Sequence, residues 1–168
     1  MQNVTDPREV IGFLRKKENR NIFGEGRSIT GGYWSDKENK HSLCVQLRQF
    51  FGRTRQGKTL HYEINETQGR GLNVEIHSET NTPKIVHEFL KKQFEWEPKG
   101  SHGAYRFATK SITWQGRAFD DIVSDIKKAI DDLHRKYDAY LNYVEGFYSG
   151  KCGMEGCKSY ADFVQGIS

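Results

Sequence analysis

The side chains best suited to chemistry in this 168-residue chain are His61, Glu63, Glu75 and His77. They lie in LHYEINETQGRGLNVEIHSE, residues 60 to 79, where Leu, Tyr, Ile and Val alternate with His, Glu and Asn on both arms of a hairpin. A period of two puts the polar set on one face. The apolar faces allow only registers in which paired residue numbers have an even sum. Pairing Ile64 with Val74 leaves the loop TQGRG, sets Glu63 opposite Glu75 and sets His61 opposite His77. Pairing Ile64 with Leu72 sets His61 opposite Glu75 instead. Facing carboxylates cost stability unless they share a cation, a proton or a basic neighbour. His and Glu on rigid strands suit a divalent ion, and Glu63 with His77 has the makings of an acid/base pair. Strand alternation produces such faces freely. The expectation is therefore a solvated polar face without a cofactor, with a metal-dependent hydrolase or nuclease as the alternative.

A second constellation is basic. Arg48, Arg53, Arg55 and Lys58 occur with no acid between them, and Arg70 stands at the hairpin tip. Read as the connection before the second strand, the run from Arg53 to Lys58 forms one basic edge with Arg48 and Arg70. Tyr33, Trp34, Phe50 and Phe51 are near in sequence and able to stack on bases. RKKENR, residues 15 to 20, is a further basic cluster in a chain of net charge +4. The leading expectation is a non-catalytic protein that binds nucleic acid, DNA or RNA, or a complex that processes it.

Other signals are weaker. Cys152 and Cys157 have C-x4-C spacing, but zinc sites of this kind bring two such pairs, so free thiols are expected. Gly69 and Gly71 lie in a hairpin loop, outside the strand-to-helix context of a dinucleotide fingerprint. Cys44 has no partner in the sequence for nucleophilic work.

The elements that must position these residues follow from periodicity. Asp6 and Pro7 open a helix expected to reach about Lys17, with Val10, Ile11, Phe13 and Leu14 as its stripe. Glycines among β-formers at residues 22 to 34 suggest a bulged or edge strand. Alternation predicts strands at residues 42 to 48, 60 to 65 and 72 to 77, each half-buried, in an antiparallel meander. Thr82 and Pro83 start a helix with Ile85, Val86, Phe89 and Leu90 inward. A further strand is expected near Tyr105 to Ile112, then a long helix from about Arg117 to Tyr148. That helix is long enough to offer Tyr137, Tyr140, Tyr143 and Tyr148 to a protein partner or a second copy, as an immunity or anti-defence module would. The expected class is α+β: an antiparallel sheet of four to six strands with helices on one face, one domain over residues 1 to 150 and an irregular tail over 151 to 168. No apolar run approaches the ~20 residues of a bilayer span, no signal-like segment opens the chain, and three cysteines make no disulfide framework. A cytoplasmic location is expected.

The segment LNVEIHSETNTPKIVHEFLKKQFEWEPKGSHGAYRF, with the long helix after it, resembles a bacterial domain family of unknown function that accompanies restriction-type nucleases. The resemblance covers about residues 40 to 145 as an order of strands, helix, an aromatic-acidic segment (here Phe94 to Glu97), strand and long helix. The layout is also similar to the N-terminal modified-cytosine-binding domain of McrBC-type restriction systems. Both resemblances imply a microbial, defence-related or nucleic-acid-associated setting. Restriction-type nucleases carry a lysine two residues after a metal-binding acid; after Glu75 that place holds His77, which argues against a working core of that kind.

Overall fold

The computed structural model of the chain describes residues 2–24, 26–30, 43–54, 57–67, 69–78 and 105–149. The first helix, α1 (Pro7–Leu14), starts where the sequence asks. Asp6 in an extended conformation accepts from the Arg8 N–H at 2.9 Å, and the Glu9 carboxylate accepts from the Asp6 N–H at 2.9 Å, so a capping box satisfies the first turn. The helix stops earlier than expected. Arg15 caps it, Lys16 turns extended at ψ 140°, and a separate 3-10 turn covers Lys17–Asn19. Asn19 Nδ2 donates to the Phe13 carbonyl at 2.7 Å, so a side chain supplies the bond that another helical turn would have made.

Five strands form one sheet in the order β1 (Ile29–Thr30), β2 (Cys44–Thr54), β3 (Gly57–Glu66), β4 (Leu72–Ser78) and β5 (Tyr105–Ser111). The short β1 pairs antiparallel with β2, Ile29 opposite Leu47. Sequential neighbours throughout make this the expected antiparallel meander, and the fold is α+β. The long helix α2 (Phe119–Ser149) follows, with Asp120 and Asp121 in its first turn, where the helix dipole favours acids. The expected helix near residues 82 to 94, the Phe94 to Glu97 segment and the tail with Cys152 and Cys157 lie outside the described residues.

Two compact units divide the chain, and their boundary crosses β3 and β4 within continuous strands. Unit 1 holds α1, β1, the first part of β2, Tyr62–Glu75 and residues 109 to 132. Its core includes Val10, Ile11 and Leu14 of α1, Ile64 and Val74 of the sheet, and Ile122, Ile126 and Ile130 of α2. Phe13 stacks on Phe119 with ring centroids 4.8 Å apart, and Val4 exchanges backbone hydrogen bonds with Arg117 and Gly116. Ion pairs Arg117–Asp125 and Lys110–Asp132 lie at the rim of this core. Unit 2 contains Phe50–His61, residues 76 to 108 and the chain from Leu133 onward, and buries Leu60, Ile76, Ala108, Leu133, Tyr137 and Leu141.

Candidate metal centre

The hairpin turn fixes the register left open by the sequence. Arg70 N–H donates to the Thr67 carbonyl at 2.9 Å, and Thr67 N–H donates to the Gly71 carbonyl at 2.9 Å, with Gly69 at φ +70° in the turn. Counting back along both arms from Thr67 and Gly71 sets Ile64 opposite Val74. His61 then faces His77, and their ring centroids are 5.2 Å apart. The same count sets Glu63 opposite Glu75 and Asn65 opposite Asn73. His-x-Glu-x-Asn on β3 thus runs against Asn-x-Glu-x-His on β4, and each polar rung joins two residues of one type.

This face is not solvated. His61 is 0%, Glu63 4%, Asn65 4% and Glu75 1% exposed, and His77 is half-buried. The expectation of a wet polar face is corrected on this point. Alternation shows that the two faces of a strand differ, but it does not show that the polar one meets water. Asn65 Oδ1 is buried without a hydrogen bond, so the environment is short of donors there.

One ligand atom each from His61, Glu63 and His77 lies within 4.8 Å of the others, in the only such group among the described residues. His61 and Glu63 occupy alternate positions of one strand, and His77 is the rung partner of His61. Strand geometry therefore places all three on one face. Around an ion with bonds of ~2.1 Å the ligand atoms stand roughly 3 to 3.5 Å apart, so closure needs side-chain movements of about an ångström. Two imidazoles and one carboxylate form a donor set for zinc, manganese, iron or cobalt. Burial adds a second reason. Two ionised carboxylates on one rung, with Cα atoms ~5.5 Å apart, would repel by about 3 kcal/mol at an effective dielectric near 20. Sharing a cation removes that cost.

The third buried acid of β3 behaves differently. Glu66 projects from the opposite face and is 0% exposed. Leu43 N–H donates to its Oε1 at 2.6 Å, Gly69 N–H donates to its Oε2 at 2.7 Å, and Arg8 Nε stands 3.8 Å away. Its own N–H donates to the Leu43 carbonyl at 2.9 Å. Glu66 thus ties the start of β2 to the hairpin turn. Sequence reasoning passed over it because it looked like the polar end of a strand; an acid at an apolar-face position beside a glycine turn was the available signal.

The basic residues are not gathered as expected. β2 continues to Thr54 and β3 begins at Gly57, so Arg53 and Lys58 are strand residues and the connection shrinks to residues 55 and 56. Arg48 also lies on β2, and Arg55 falls outside the described residues. Arg70 is exposed, but it belongs to the turn at the other end of β3, ten residues or roughly 33 Å along the strand. Strand pairing extended through the basic run because Arg and Thr tolerate an extended backbone as readily as a loop does. Arg15, Lys16, Lys17 and Arg20, at the end of α1, are all exposed. Cys44 is buried. On α2, Tyr137 and Leu141 are 5% and 0% exposed, so the helix spends this part of its stripe inside the chain.

The fold and face together define an antiparallel α+β protein with a buried His/Glu ladder. No family model, no curated protein and no solved structure matches the chain. No helix among the described residues is long and apolar enough to cross a membrane.

Proposed function

We propose that this protein binds one divalent transition-metal ion between β3 and β4, with His61, Glu63 and His77 as its ligands. The convergence of the three ligand atoms within 4.8 Å on a buried face carries the reading. Two neutral imidazoles and one carboxylate leave a divalent ion with coordination positions to spare, which suits chemistry at a small bound molecule. Burial at 0% to 4% of His61, Glu63 and Glu75 sets these groups out of reach of a polymer backbone, so the metal-dependent activity does not extend to a nuclease. Titrating metal-free protein with Zn2+ or Co2+ by calorimetry should give one equivalent bound, lost in His61→Ala and His77→Ala. Unchanged histidine NMR signals on addition of Zn2+, Mn2+ and Co2+ would sink the proposal and leave a hydrogen-bonded His/Glu cluster.

A second reading, non-catalytic binding of nucleic acid in a defence-related setting, is favoured by the four exposed cations between Arg15 and Arg20 and by exposed Arg70. Arg48, Arg53, Arg55 and Lys58 would extend that surface along β2 and β3. Phosphate contacts release counterions, so affinity for DNA or RNA should fall steeply as salt rises. Absence of binding at low salt would remove the reading, and it would leave the metal proposal untouched.

A further inference from the structure

The ladder contains one acid more than the ligand group uses. Glu75 is the rung partner of Glu63 and stands two positions from His77 on the same face of β4, yet its carboxylate is outside the group of three that converge. It is 1% exposed, so its position is fixed by the packed face and not by solvent. A carboxylate one rung across from a ligand carboxylate lies about 5 Å from an ion held by His61, Glu63 and His77. That is the span of one metal–ligand bond of ~2.1 Å followed by one hydrogen bond of ~2.8 Å. Glu75 is thus placed to touch whatever small molecule takes the remaining coordination position, and not to take that position itself.

Resting on the metal reading above, we propose that Glu75 determines which ligand the ion accepts: a small neutral molecule with a hydrogen-bond donor, such as water, an alcohol or an amide, in preference to an anion. A divalent ion with Glu63 carries one net positive charge, and Glu75 cancels it. An anion entering the open position meets this second carboxylate at close range in a site with little water to screen it. A neutral donor gains a charge-assisted hydrogen bond from the same group. Half-buried His77 marks the side from which a small ligand enters.

The test uses the full chain loaded with Co2+, whose visible absorption reports changes in coordination. Azide serves as the anionic probe and imidazole as the neutral one. Wild-type protein should bind imidazole at least tenfold more tightly than azide. Glu75→Gln should tighten azide binding tenfold or more and change imidazole binding less than threefold; Glu75→Asp should stay close to wild type. Equal azide affinity in wild type and Glu75→Gln would overturn the role of Glu75, and so would wild-type preference for azide, a comparison that needs no variant. A cobalt spectrum indifferent to both probes would show a closed site and overturn the open position. A protein that takes up no Co2+ at all defeats the metal reading itself, a result distinct from the other three.

Discussion

Glu63 and Glu66 lie three residues apart on β3, both almost wholly buried, and the chain holds them in opposite ways. Glu66 is met by backbone: two N–H groups at 2.6 and 2.7 Å, with the Arg8 guanidinium nearby. Its work ends where β2 and the hairpin turn are joined. Glu63 is met by titratable side chains, with a second carboxylate across the rung and imidazoles beside it. Burial of an acid is therefore not itself the mark of a site. The partners decide: fixed amide donors make an anchor, whereas histidines and a like carboxylate make a place for a cation.

The largest expected effect tests the anchor. Glu66→Ala leaves two backbone N–H groups and part of Arg8 without the acceptor they surround, and should cost about 3 kcal/mol or more. The loss should appear as a lower urea midpoint that added Zn2+ does not restore beyond the wild-type increment. A cost below ~1 kcal/mol would mean that the turn and β2 are held together by something else. Removing a histidine from the ladder tests the other side. Wild-type protein should gain roughly 2.7 kcal/mol when Zn2+ is present at a hundred times its dissociation constant. His77→Ala should lose that gain, while its metal-free stability changes by less. If His77→Ala retained a metal-dependent shift, the distinction between anchor and site would fail.

Much of this contrast was legible before any coordinates. Asp6 and Pro7 announced α1, the alternation announced β3 and β4, and one of the two allowed registers proved to be the one present. The sense of the ladder was not legible, because register is settled by the Thr67–Gly71 hydrogen bond and the positive φ of Gly69. Nor was its burial, since what covers a strand face lies elsewhere in the chain. The basic run misled because charged residues on long strands look like loop residues when glycines flank them. Strand ends are decided by pairing partners, and Thr54 and Gly57 found theirs.

A third arrangement gives the comparison its scale, since in the capping box carboxylates hold backbone without deep burial. Asp6→Ala removes the acceptor of the Arg8 N–H and should cost ~1 kcal/mol, well below Glu66→Ala, because water can replace the lost partner at this half-buried position. The two costs should approach each other only if Glu66 is more accessible than its packing indicates.

The smallest effect is a pH dependence at Glu9. The Thr5 hydroxyl donates to its carboxylate at 2.8 Å and is the chief cause of a pKa below the ordinary glutamate value; partial desolvation opposes the shift, and the Thr5 and Asp6 N–H groups reinforce it. The folded state thus holds its proton less tightly than the unfolded state. The unfolded chain binds more protons across the interval between the two pKa values, so stability rises with pH there. The contribution is complete above the ordinary glutamate range, falls as pH drops through it, and is gone below the lowered folded value. Glu9→Gln should remove this slope while changing stability little in acid, where the wild-type group is protonated as well. A slope that survived in Glu9→Gln would have to come from other carboxylates. If Zn2+ made it steeper, those carboxylates would be in the ladder, where protons compete with the ion for Glu63 and the two histidines.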